Sequence, residues 1–221
     1  MNSAAGVQTT AAAVPAQQDS LSPAMALQTI AHELRQPLSA IESIAYYLSL
    51  VLPKEDHRAR EQVSRLQQLV EQSNWILSSG LQLADETPLA PEPVDLAKLV
   101  AQVVAAGASR GDPHPQLDLA RELPLVHLDP VRGRLLVENL LALFRQLSSQ
   151  AHPLRLVTSP AESGVCLAVS TSLPGYRSES ALGPGCALSL ASVRRTVEAH
   201  HGSCHLEVSP TAGINIRVVL P

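Results

Sequence analysis

Aromatic side chains are nearly missing from this chain: Trp75, Phe144, Tyr46, Tyr47 and Tyr176 are all there are in 221 residues. So few rings exclude the stacking platforms that bind single-stranded nucleic acid, and they leave any core to be built from aliphatic side chains. Basic charge is lacking too. A formal net charge of −4 offers no surface for a phosphate backbone, so no nucleic-acid partner is expected. Cysteine is limited to Cys166, Cys186 and Cys204, an odd and dispersed set without a CxxC pair. That excludes a disulfide framework and suggests reduced thiols in a cytoplasmic setting. No run of about 18 apolar residues occurs, so no membrane span is expected. The first residues are rich in Ala, Gln, Val and Thr and have neither a basic n-region nor a sustained apolar stretch. Residues 1–21 therefore read as a disordered tail rather than a signal peptide. What is present is an apolar fraction of 45%, ordinary for a soluble globular chain of one or two domains.

Ser22-Pro23 pairs a capping hydroxyl with a proline in the first helical turn. From there Leu27, Ile30, Leu34, Leu38, Ile41, Ala45 and Leu48 recur at spacings of three and four, which predicts one amphipathic helix. Leu52-Pro53-Lys54-Glu55-Asp56 breaks the pattern as a turn. A second helix follows with Val63, Leu66, Val70, Ser73, Leu77 and Gly80 or Leu81 along its seam. Two long helices and a short turn make an antiparallel hairpin, but one hairpin cannot cover both its own stripes. A homodimeric four-helix bundle is the expected remedy.

His32-Glu33-Leu34-Arg35-Gln36-Pro37-Leu38 sets an imidazole beside a carboxylate on the first helix. His32 lies off the apolar stripe and should face solvent. A neutral imidazole has one nitrogen available to attack phosphorus, and a carboxylate such as Glu33 can hold the other nitrogen's proton and offset developing positive charge. Gln36, one turn on, has an amide able to orient a water or a phosphoryl oxygen. Pro37 removes a backbone donor inside the helix, which helix stability alone does not explain. The blander readings are an inert surface histidine and a plain surface glutamine. The segment resembles the phosphoacceptor box of two-component sensor histidine kinases, in which the same proline follows the histidine. That resemblance implies His32 as phosphoacceptor and Glu33 and Gln36 as its catalytic neighbours. A tail of this size cannot be the sensing domain or anchor of such a kinase, so the sequence reads as a stand-alone cytoplasmic module or as a piece of a longer chain.

Thr87-Pro88-Leu89-Ala90-Pro91-Glu92-Pro93 is a proline-rich break. After it the patterns predict a helix from Val94, strand-like alternation from Gln116, a helix over 129–149, and strands over 154–158 and 165–170. A helix over 188–200 and a hairpin of 205–208 with 214–220 complete the chain. The order is similar to the α/β sandwich of GHKL-type ATPases, the catalytic domain of histidine kinases. The expected fold is thus α+β: a helical hairpin over 22–86 that dimerises as a four-helix bundle, then an ATPase-like α/β sandwich over 92–221.

The resemblance fails where such a domain holds nucleotide. Asp129 and Asn139 have N-box spacing, but a second asparagine four residues on is replaced by Leu143, which has no lone pair for magnesium. Thr171 stands where an aspartate accepts the adenine amino proton, and Leu173 replaces a glycine ahead of Gly175. Losing a charged acceptor there costs about 1.5–3 kcal/mol. After Gly185, family members have glycines where Ala187 and Ser189 stand, so that backbone amides can approach phosphate. Between Gly175 and Gly183 too few residues remain for an ordered ATP lid. No cofactor is expected.

His200, His201, Cys204 and His205 cluster in sequence, but their spacing matches no dependable zinc pattern, and no metal is expected. Three functions stay open. The leading one is a homodimeric histidine phosphotransferase that takes phosphoryl groups from aspartates of response-regulator receiver domains without using ATP, the receiver's magnesium supplying the cation. Arg35, Ser39 and the second-helix surface are its expected receiver contacts. The others are a divergent sensor histidine kinase acting as autokinase or phosphatase, and a non-catalytic pseudokinase that only pairs with partners.

Overall fold

The structure, a computed structural model, describes residues 23–108, 115–147, 153–172, 178 and 184–221. The expected tail over 1–21 lies outside them.

Helix α1 spans Pro23–Val51 and α2 spans His57–Ala84. Pro23 opens α1, where a missing N–H goes unnoticed. The helix runs on through Pro37, whose ring leaves the Glu33 carbonyl without its usual donor four residues on. Asp56 caps α2, its carboxylate accepting from the Ala59 amide at 3.0 Å. Arg60 donates to the Ser49 and Leu52 carbonyls at 3.3 and 3.4 Å. It thereby ties the orphan C-terminal carbonyls of α1 to the start of α2.

The stripe expected on α1 divides in two. Ala31 and Ala45 are buried, with Leu38 and Leu52 half-buried at the same seven-residue interval. On α2, which packs against α1, Val63 and Val70 are buried at the same interval. A seven-residue repeat with small side chains lets antiparallel helices close tightly. The larger residues of the expected stripe point elsewhere: Ile30 is 53%, Leu34 46% and Ile41 37% exposed, and Ile44 and Val51 continue that outward row.

The remaining elements form an α/β domain. Strand β1 (Glu92–Val94) pairs antiparallel with β3 (Val126–Leu128). A five-stranded sheet runs in the order β2-β4-β5-β7-β6, from β2 (Gln116–Leu119), β4 (Arg155–Ala161), β5 (Gly164–Thr171), β6 (Ser203–Ser209) and β7 (Gly213–Leu220). Only β2 and β4 are parallel. Along β5 burial alternates strictly, with Val165, Leu167, Val169 and Thr171 inward, the period of a sheet covered on one face. The cover is α3 (Leu96–Ala108), α4 (Pro130–Leu147) and α5 (Pro184–Ala199). Their Leu96, Val100, Leu140, Phe144, Leu190 and Val193 join the sheet in one aliphatic core. Gly213 turns β6 into β7 at φ 88°, and a side chain there would strike the Thr171 carbonyl.

The expected elements recur with shifted ends, and β1 and β3 are additions. Strand β1 falls inside the proline-rich break. Three residues are too few to show a period.

Candidate functional site

His32 stands exposed on α1, directly after buried Ala31. Its Nε2 lies 3.3 Å from the Gln36 amide nitrogen, which donates to it. Accepting that bond at Nε2 requires the tautomer with the ring hydrogen on Nδ1. Gln36 therefore covers the Nε2 lone pair in this rotamer. Glu33 is exposed and forms no hydrogen bond or ion pair among the described residues. The structure does not bring it to Nδ1. Arg35 donates to the Ser78 hydroxyl at 3.1 Å, an exposed contact between α1 and α2 three residues beyond His32.

Of the residues expected to line a nucleotide cradle, Asn139, Gly185 and Ser189 lie together beneath α2. Asn139 of α4 is buried, and both halves of its amide are engaged. Its nitrogen donates to Gln82 Oε1 at 2.6 Å and to Ser192 Oγ at 3.3 Å, while its oxygen accepts from Ser79 Oγ at 3.4 Å. Ser192 also donates to Gln82 at 2.7 Å. Ser79 meets Ser189 hydroxyl to hydroxyl at 3.1 Å, both fully buried. At the start of α5, a side chain on Gly185 would meet Trp75 at 3.5 Å and Ile76 at 3.7 Å. Leu143 is fully buried in the aliphatic core, and Thr171 is buried at the end of β5. Ala187 is exposed on the first turn of α5, away from the cradle contacts. Leu173, Gly175 and most of the expected lid segment lie outside the described residues.

These donors do not fit a magnesium–nucleotide. Magnesium demands oxygen ligands in near-octahedral order, whereas Leu143 supplies none and the Asn139 oxygen already accepts from Ser79. Phosphate needs open backbone amides at a helix start, and Trp75 and Ile76 cover that of α5.

Ser79, Gln82 and Ser192 were not legible as site residues. Their only signal is a second row on α2, Trp75, Ile76, Ser79, Gln82 and Leu83, that the hairpin seam does not use. The row's far end is held by Arg195, which donates to the Leu83 carbonyl and to the Asp85 carbonyl at 3.3 Å, and by an Arg132–Asp85 ion pair at 2.7 Å. Hydrogen bonds from the Thr87 hydroxyl and amide, with the Arg132 charge behind them, hold the Asp85 carboxyl below its ordinary range.

Asp129 caps α4 by accepting from the Val131 and Arg132 amides, and it also accepts from Ala90 of the linker. Burial opposes its ionisation, but those three amides and the Arg132 charge outweigh burial and lower its pKa. His200 accepts from the Asp129 amide at 3.0 Å through Nε2 and donates to the Thr196 carbonyl at 2.7 Å through Nδ1. Both ring nitrogens are thus engaged in holding the fold. Among the described residues no group of three or more His, Cys, Asp or Glu is arranged to hold a metal. The three cysteines form no disulfide, and burial raises the pKa of Cys166 and Cys186. Among the described residues no helix is long and apolar enough to cross a membrane.

No family model matches the sequence. The sensor histidine kinase ZraS of Escherichia coli (strain K12) is 26% identical over 207 residues, covering 87% of this chain and 44% of that protein. The chain thus spans less than half the length of the curated relatives it matches. Among solved structures, full-length ShkA in complex with AMPPNP superposes with a TM-score of 0.60 at 23% identity, covering 89% of this chain and 45% of that one. The histidine kinase AdeS of Acinetobacter baumannii superposes with a TM-score of 0.54 at 20% identity, covering 86% and 96%.

Proposed function

The chain is built as a histidine kinase core, HisKA-like helices followed by a GHKL-type ATPase domain, and from that premise we propose that His32 carries phosphoryl groups in two-component signalling. Neutral His32, freed from Gln36, attacks the phosphorus of a receiver's phosphoaspartate through Nε2. The N–P bond forms, the P–O bond to the aspartate breaks, and the carboxylate leaves on the receiver. Positive charge builds on the ring, and Glu33, adjacent and unpaired, is the carboxylate that turns to the Nδ1 proton. The Gln36 amide donates instead to a phosphoryl oxygen. Running the sequence backwards loads a second receiver. Positioning and electrostatics supply most of such a transfer. The outward row of Ile30, Leu34, Ile41 and Ile44 supports a homodimer, since so continuous an exposed apolar stripe calls for a partner helix pair.

Two readings of the phosphate source divide at the cradle. The relatives back a divergent sensor histidine kinase, autokinase or phosphatase, more directly, because they carry that name and one superposed structure holds AMPPNP. The residues of this chain back ATP-independent transfer, and the observation that carries this is Asn139, whose amide nitrogen and oxygen both bond to protein groups. Incubating the purified chain with radiolabelled Mg-ATP, and separately with a labelled phospho-receiver, decides between them. Label on His32 from the receiver alone is the expected result. Label from ATP establishes the kinase.

A further inference from the structure

The α4–α5 groove is not merely short of nucleotide ligands; it is filled by another part of the same chain. We propose that the C-terminal half of α2 is the resident ligand of this cradle, a latch that holds hairpin and α/β domain as one body and sets the level of His32. The proposal rests on the reading in which no nucleotide occupies the groove.

Each cradle function has a counterpart on α2. The Gln82 oxygen accepts one hydrogen of the Asn139 amide at 2.6 Å, where a metal–nucleotide would use that amide's oxygen, and Ser79 donates to the oxygen itself. Trp75 and Ile76 cover the N-terminus of α5 at Gly185. The hydroxyls of Ser79 and Ser189, both inaccessible to solvent, complete a polar cluster inside an otherwise apolar contact. Buried polar groups stay satisfied only while both helices remain in register, so the cluster selects one docking position. Arg195 and the Arg132–Asp85 pair fasten the lower end of the helix.

The contact is also built to open. Among the described residues, the Trp75 indole nitrogen is the one buried side-chain polar atom without a hydrogen-bond partner. The Trp75 side chain also borders a cavity of about 490 Å³ lined by Ser78, Gln82, Glu138 and Asn139. An unmade buried hydrogen bond weakens the docked state, and solvent reaching the indole in the undocked state would satisfy it. Docking reaches the phosphoacceptor through Ser78, which lies one turn before Gln82 on α2 and accepts from Arg35, three residues beyond His32 on α1.

The test is hydrogen exchange on the full chain, comparing wild type with Gln82→Ala on α2 and Ser192→Ala on α5. Each change removes a partner from the cluster, so exchange over 76–84 should quicken about tenfold while 57–70 keeps its rate. Ser192 does not belong to the hairpin, so an effect of its variant on α2 cannot come from a disturbed bundle. Unchanged exchange over 76–84 in both variants overturns the latch. Should one variant lose its far-UV circular dichroism, the other decides. Mg-ATP added to wild type keeps the two ideas apart: binding overturns the ATP-independent reading, whereas the latch stands or falls on the exchange rates.

Discussion

The hairpin and the α/β domain bury their apolar residues in opposite ways. Helix α1 covers only Ala31 and Ala45, and α2 only Val63, Val70 and Ser79. Strands β4, β5 and β7 and helices α3 to α5 instead close over one continuous aliphatic core. The first unit is left with a row of exposed isoleucine and leucine, while the second closes over its own apolar core and draws on α2 along α5 and at Asn139. The difference extends to polar groups. On the hairpin His32, Glu33 and Gln36 stand in solvent where a partner can reach them. In the α/β domain Asn139, Ser189 and Ser192 are sealed under α2. On the proposed function, the reactive group sits on the open unit and the closed unit supports it.

The sharpest way to break this contrast is His32→Gln, which keeps size and polarity but removes the nucleophile. Labelling by a phosphorylated receiver should fall below detection on a gel, with the melting temperature unchanged. Persistence of label would move the reactive group elsewhere.

Next in size are paired core and surface truncations. Leu167→Ala should cost about 2–5 kcal/mol in denaturant unfolding, independent of protein concentration, because it opens a cavity in a closed core. Ile44→Asp, on the outward row, should leave the α/β domain intact and shift the chain towards monomer in sedimentation by about tenfold or more in dissociation constant. Equal concentration dependence for both variants would erase the distinction between the units.

Acid should act on the α/β domain and its junction with α2 through depressed carboxyls. Asp129 and Asp85 have folded pKa values below the ordinary 3.8, so they contribute stability above that value and lose it as pH falls through the lower folded values. Asp129→Ala removes the α4 cap, which should cost about 0.5–2 kcal/mol at neutral pH and flatten the stability loss below the ordinary carboxylate range. An acid limb as steep as wild type would assign that loss to other groups.

The smallest expected effect is Arg35→Ala. Its exposed hydrogen bond to Ser78 should contribute at most about 1 kcal/mol to stability. It should nevertheless slow phosphoryl transfer if it sets the level of His32. Transfer at the wild-type rate would leave the bond a local fastening only.

Much of this was readable from the chain. Spacings of three and four gave both long helices, and Leu52-Pro53 gave the turn, because amphipathic periodicity and helix breakers are local signals. Alternation along β5 and β7 gave the sheet for the same reason. The three-residue strands β1 and β3 escaped because nothing so short has a period. The division of α1 into two rows also escaped, since Ile30 and Ala31 are neighbours on one helix and only packing tells which of them turns inward. The substitutions Leu143, Thr171 and Ser189 pointed to a changed cradle, but nothing in sequence pointed to its occupant. Ser79 and Gln82 are ordinary polar residues of an exposed helix until α4 and α5 are set beside them.

The sequence by itself therefore determined the kind of elements, their order, and an exposed imidazole with a carboxylate and an amide within one turn, because helix geometry fixes such neighbours without reference to the rest of the chain. Tertiary structure alone decided that Gln36 rather than Glu33 meets His32, and that α2 fills the groove between α4 and α5. Side-chain rotamers and contacts between residues some 60 to 110 positions apart depend on how whole elements pack, and a linear pattern does not encode that.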